Sequence, residues 1–151
     1  FAVLGLLHAL RLARWHGHRS AGEPLVAILH VGYGFVPLGF LAVALGAFGA
    51  HGLKGHISTD LLTIFHTGVN YQGMHALALL ACGLWALQRP ARSLSVAAWA
   101  FTLGILVFSG SLYLLALTDE RWLGAITPIG GLAFLVGWAA LLVAARKMPR
   151  A

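Results

Sequence analysis

The sequence predicts an all-α integral membrane protein: a four-span helical bundle preceded by a short hydrophobic segment that reads as a truncated fifth span. Three observations carry this. Hydrophobic residues make up 60% of the 151, charged residues only 9%, and the mean hydropathy is +0.86; a soluble domain carries about 25% charged residues. The apolar residues also gather into four blocks, Leu25–Ala50, Leu61–Leu87, Leu94–Leu117 and Trp122–Ala145, none holding Asp, Glu, Lys or Arg. Each block exceeds the roughly 20 residues needed to cross the hydrocarbon core. In lipid the backbone must satisfy its own hydrogen bonds, so blocks of this length are expected to be helices.

The leading stretch, Phe1–Leu12, is apolar but half a span long, so it reads as the end of a longer helix or as an interfacial stub. No positive leader precedes it, which argues against a signal peptide. The polar stretch Arg11–Glu23 comes next, and the first full span is expected from near residue 25.

The loops predict orientation. Arg11, Arg14, Arg19, Arg89, Arg92, Arg146, Lys147 and Arg150 fall on one side of a four-span weave; Lys54 and Arg121 fall on the other, beside Asp60, Asp119 and Glu120. Short loops rich in Lys and Arg stay in the cytoplasm, so both ends of the four-span unit, the C-terminus included, are expected there. The net charge of +6 is accounted for by orientation and by attraction to anionic headgroups; no nucleic-acid partner is expected.

Helices in lipid associate through close backbone approach and polar contacts. Gly46, Gly49, Gly52 and Gly55 recur every three residues, and Gly46 with Ala50 makes a small-xxx-small pair. Ser109, Gly110 and Ser111 form a second thin site; Gly130, Gly131 and Gly137 form a third, after Thr127-Pro128. Pro37 and Pro128 each remove a backbone donor, and Pro128 predicts a bend or broken first turn in the last span.

The second block carries most of the intramembrane polar residues. On a helical projection His66 and Asn70 share one face, while Tyr71, Gln72 and His75 share roughly the opposite one. Polar residues at such depth are candidates for function, here a path for a small neutral solute; the alternative is structural hydrogen bonding between helices. His51, His56 and His66 form a loose outer group, yet no HExxH or CxxC spacing supports a metal site. Cys82, the single cysteine, rules out an intramolecular disulfide and reads as a packing residue. No phosphate loop, nucleophile elbow or carboxylate pair within a span is present, so no catalytic residue is assigned and no cofactor is predicted.

Four stretches carry a family resemblance: VALGAFGAHGL (43–53), TGVNYQGMHALALL (67–80), LVFSGSLYLLAL (106–117) and ITPIGG with the later Gly137-Trp138 (126–138). Over residues 41–148 the chain resembles the DUF423 family of small bacterial inner-membrane proteins. The resemblance implies a compact helical membrane domain, 41–148, without an assigned activity. The stretches LLHALRLARWHGHR (6–19) and EPLVAILHVGYGFVPLG (23–39) set residues 1–40 apart as an extension. They are similar to part of the NnrS family, multi-span proteins associated with haem, copper and nitric-oxide stress. That similarity makes His8 and His30 candidate metal-related residues and makes haem or copper the cofactor to test; His51 is a metal candidate through the outer histidine group alone. The expected role is a non-enzymatic subunit or assembly partner in the lipid bilayer, joined to other membrane subunits or to copies of itself. The alternatives are a channel or transporter lined by Tyr71, Gln72 and His75, and a haem/copper-associated module.

Overall fold

The computed structural model describes residues 2–14 and 33–147, and all of its regular elements there are helical apart from an isolated bridge between Lys54 and Ile57. Helix α1 spans Ala2–Arg14 and α2 spans Phe35–Ala47, running on through a π-helical segment, Phe48–Leu53. Helix α3 spans Thr59–Gln88. Helix α4, Arg92–Gly104, passes through a second π-helical segment, Ile105–Ser109, into α5, Gly110–Thr118. A 3-10 turn, Arg121–Ala125, leads into α6, Thr127–Arg146.

The helix boundaries obey local chemistry. Ser58 caps α3: its extended backbone turns the chain in and its Oγ accepts from the Leu61 N–H at 3.3 Å. Asp60 in the first turn complements the positive end of the helix. At the other end Arg89 precedes Pro90 and is extended, as a residue before proline prefers. Helix α5 ends with Asp119 in the left-handed region, φ 57°, and its carboxylate meets Arg121 Nε at 2.8 Å in an exposed pair. The proline effect expected near 128 takes a definite form. The chain breaks at Ile126, and α6 starts afresh with Pro128 in its first turn, where its missing N–H costs nothing.

The span count differs from the four-plus-partial expectation. Among the described residues three helical stretches are long and apolar enough to cross a membrane: Phe35–Leu53, Arg92–Thr118 and Arg121–Arg146. Helix α3, the second expected span, has 30 residues and so is about 45 Å long. It falls outside that set because His66, Asn70, Gln72 and His75 lower its average hydropathy. The first expected span, drawn from residue 25, begins as described helix only near Phe35, and residues 15–32 lie outside the described residues. The leading segment forms α1, which packs on α2, with Gly5 placed against Phe40 and Pro37.

Helix α3 packs against α2, α4 and α5, while α4 makes its most extensive contact with α6. The core joins Ala78, Leu79 and Cys82 of α3 to Ala97, Ala98 and Phe101 of α4 and Phe134 of α6. Between α4 and α6 the contact is ring over glycine, in both directions. A Cβ on Gly137 would lie 2.6 Å from Phe101 Cδ1, and one on Gly104 would lie 2.5 Å from Phe134 Cε1. Gly130 sits against backbone rather than a ring: its Cβ would fall 2.7 Å from Phe108 Cβ and 2.8 Å from Phe108 Cα. Large apolar side chains such as Leu103, Leu106, Leu132, Leu135 and Leu142 point outward, the surface that hydrocarbon solvates.

Candidate functional site

The polar residues of α3 meet partners on three other helices. Gln72 is 2% exposed; its Nε2 donates to the Leu38 carbonyl of α2 at 2.8 Å, and its Oε1 accepts from the Tyr113 hydroxyl of α5 at 2.9 Å. The amide orientation is set by the partners, because a carbonyl can only accept. Gln72 therefore ties α2, α3 and α5 together through one side chain.

His75, also 2% exposed, uses both ring nitrogens. Nδ1 lies 2.8 Å from the Tyr71 carbonyl, one turn back in α3, and Nε2 lies 3.2 Å from Trp138 Nε1 of α6. An indole nitrogen donates only, so Nε2 must accept, and the proton must sit on Nδ1, where it is donated to the Tyr71 carbonyl. The ring is thus a neutral, single tautomer. It lies flat on Phe134, ring centres 3.5 Å apart at 7°, with Phe101 and Trp138 around it.

A third polar link closes the far end. Ser111 Oγ donates to the Phe108 carbonyl at 2.9 Å, which leaves the Thr127 hydroxyl to donate to Ser111 Oγ at 2.8 Å. Ser109, fully buried at the end of the second π-helical segment, has no partner for its Oγ among the described residues. A helical serine usually bonds the carbonyl four residues back. Here that carbonyl, of Ile105, takes the Gly110 N–H in the wider π turn.

The structure brings together Gln72 and His75 but divides their partners, since the former bonds toward α2 and α5 and the latter toward α6. Tyr71 stays partly exposed beside them. Asn70 is exposed, and His66 is half-buried, its Cε1 3.0 Å from the Cβ position of Gly49. His51 stands exposed on the first π-helical segment. Among the described residues no three His, Cys, Asp or Glu groups could hold a metal ion, so His51 gains no ligand set. His66, grouped with it in the sequence, is turned against Phe65 instead. His30 and the side chain of His8 lie outside the described residues.

The proposed packing residues divide similarly. Gly46 meets Val69, Gly49 meets Phe65 and His66, Gly130 meets Phe108 backbone, Gly131 meets the Phe108 ring at 3.8 Å, and Gly137 meets Phe101. Gly110 faces open space and Ala50 is exposed. Of the partners of Gln72 and His75 the sequence reading passed over Phe134, and it reached Leu38, Tyr113 and Trp138 only inside the stretches that carry the family resemblances. Tyrosine and tryptophan each carry one polar atom on an apolar body and usually find it a partner when buried, which was the available signal for two of them.

Fold and network together define a small multi-helix membrane protein whose interior polar side chains are largely bonded to one another. The chain belongs to the DUF423 family: the family model, described as a protein of unknown function, matches residues 45–131. A second family model, described as NnrS protein, matches residues 1–59. The chain is 49% identical over 108 residues to the UPF0382 membrane protein YwdK of Bacillus subtilis, covering 71% of this chain and 88% of that relative. It is 47% identical over 117 residues to the UPF0382 membrane protein SERP0230 of Staphylococcus epidermidis, covering 75% and 95%. It is 42% identical over 118 residues to the UPF0382 inner membrane protein YgdD of Escherichia coli, covering 74% and 86%. No solved structure matches significantly.

Proposed function

We propose that this chain is a non-catalytic subunit or assembly partner of a bacterial inner-membrane complex. The observation that carries this is the internal satisfaction of Gln72 and His75. Two of the three side chains that were candidates to line a solute path, Gln72 and His75, spend their polar atoms on Leu38, Tyr113, Tyr71 and Trp138. A conduit for a polar solute needs polar atoms free to replace the water that solute loses, and these two offer none. The same bonds hold α3 among its neighbours, so α3 is read as the fourth span, its polar atoms compensated inside the bundle rather than by water. The naming of YgdD as an inner membrane protein supports that compartment.

The NnrS match supports partnership in particular. It runs through α2 to residue 59 and overlaps the DUF423 match over residues 45–59. One polypeptide thus joins likenesses to two families that overlap at the end of α2, the first π-helical segment and the loop after it, as expected if the DUF423 unit works beside a larger multi-span protein. That match also favours a second reading, a haem- or copper-associated module using His8 and His30; absorption spectra and metal analysis of the purified protein test it.

The main test is native mass spectrometry after gentle extraction from the source membrane. A defined complex with a different protein is expected; a lone monomer or a homo-oligomer alone refutes the partner reading. Orientation is tested by side-specific labelling of a cysteine placed at Arg89, expected in the cytoplasm with both ends of the four-helix unit.

A further inference from the structure

Four cations gather where three helices end. Ala86 of α3, Leu94 of α4 and Ala144 of α6 pack into one buried cluster, with Trp85 half-buried beside it. Arg89 lies three residues beyond Ala86, Arg92 two before Leu94, and Arg146 and Lys147 two and three beyond Ala144; all four are exposed. Among the described residues no carboxylate pairs with any of them. The described acids, Asp60, Asp119 and Glu120, belong to the start of α3 and the chain just after α5, at the opposite end of the bundle, where Asp119 already holds Arg121 at 2.8 Å. Helix dipoles offset little of the charge. The C-termini of α3 and α6 bring about −0.5 each and the N-terminus of α4 about +0.5, which leaves roughly +3.5 at this junction.

The overall charge draws the chain toward anionic headgroups diffusely; the junction adds a place and a shape. In a bilayer the polar layer over each face of the hydrocarbon is about 5–8 Å deep. The protein offers charge and apolar surface at that same spacing. Leu84 and Leu87 of α3, both exposed, lie five and two residues before Arg89; Leu142 and Val143 of α6, also exposed, lie four and three before Arg146. At 1.5 Å per residue these apolar side chains stand about 3–8 Å below the cations. A soluble anion would meet the charge and leave the apolar side chains unused, and so would an acidic peptide lying in water.

We infer that the junction of α3, α4 and α6 binds an anionic phospholipid, its phosphate held by Arg89, Arg92, Arg146 and Lys147 and its chains laid along the exposed apolar side chains below. Arginine suits this task because its planar fork bonds a phosphate through two N–H groups at once. The site requires only that these helix ends reach a bilayer surface, so it stands whichever side of the membrane they face and whether or not the chain has a protein partner.

The test is native mass spectrometry of the intact protein in detergent, titrated with dioleoylphosphatidylglycerol or with dioleoylphosphatidylcholine, which has the same chains and no net charge. Wild-type protein is expected to retain the phosphatidylglycerol preferentially. Each cation near a membrane surface is worth about fivefold in binding an anionic lipid, so Arg89→Gln with Arg146→Gln is expected to weaken phosphatidylglycerol binding about 25-fold and to leave phosphatidylcholine binding unchanged. Arg89→Lys with Arg146→Lys keeps the charge and is expected to keep most of the preference. Lys54→Gln with Arg121→Gln, at the opposite end, is expected to match wild type. Equal retention of the two lipids by wild type, equal loss of preference in the two Gln pairs, or a Lys pair as weak as its Gln counterpart refutes the site. Displacement of the lipid by glycerol 3-phosphate at matched concentration assigns the junction to a soluble anion, and displacement by a glutamate-rich peptide assigns it to an acidic protein segment; either result overturns the inference.

Discussion

Substituting Gly130 by alanine adds a single methyl group where α6 crosses the second π-helical segment, and the structure leaves no space for it. The new Cβ would stand 2.7 Å from Phe108 Cβ and 2.8 Å from Phe108 Cα, with the Phe108 backbone nitrogen closer again. Ordinary contacts begin at 3.4 Å. Backbone atoms cannot rotate aside, so α6 must withdraw by about 0.7 Å or more, a gap that forfeits a quarter to a half of each dispersion contact along the crossing. Overpacking of this kind costs about 1–3 kcal/mol, and the Ser111–Thr127 bond beside the crossing is stretched as well. The single cysteine supplies the assay: Cys82 is fully buried, so a fluorogenic thiol reagent reports its exposure during thermal unfolding in detergent. Gly130→Ala is expected to lower the midpoint by several degrees. Gly131→Ala, whose Cβ meets the Phe108 ring only at 3.8 Å, and Gly110→Ala, which faces open space, are expected within about 0.5 kcal/mol of wild type. A Gly130→Ala midpoint equal to that of Gly131→Ala refutes close approach at this crossing.

The polar and terminal contacts give three further expected outcomes. Gln72→Leu leaves the Tyr113 hydroxyl without its acceptor and is expected to destabilise by about 1–3 kcal/mol; adding Tyr113→Phe recovers part of that loss, and strict additivity in the same thiol assay refutes the bond. A double-mutant cycle of His75→Phe and Trp138→Phe is expected to give a coupling near 0.6 kcal/mol, typical of hydrogen bonds between helices in membranes, whereas zero coupling contradicts the assigned tautomer. Ser58→Ala removes the cap of α3 and is expected to cost about 1 kcal/mol, with Ser58→Asp retaining stability; equal loss in both variants dismisses the capping role.

Helicity was legible because it is local. Four uncharged apolar blocks and a proline near the start of the last helix depend only on nearby residues and on the solvent they face. The polarity of α3 was legible too, as a group of candidates from His66 to His75. Their roles were not. Gln72 finds Leu38 across 34 residues of sequence and Tyr113 across 41, while His75 finds Trp138 across 63. A helical projection puts Gln72 and His75 on nearly one face, yet several helices surround α3, and a modest change of angle selects a different neighbour. The two π-helical segments add a further obstacle. Each widens a turn to an i→i+5 bond, so a uniform projection carried through residues 105–109 misplaces the facing of α5. The sequence by itself thus determined a helical membrane chain, because backbone hydrogen bonding in lipid permits little else. Only the tertiary structure decided that Gln72 bonds toward α2 and α5 and that His75 bonds toward α6, because those outcomes depend on which helices meet and in what register.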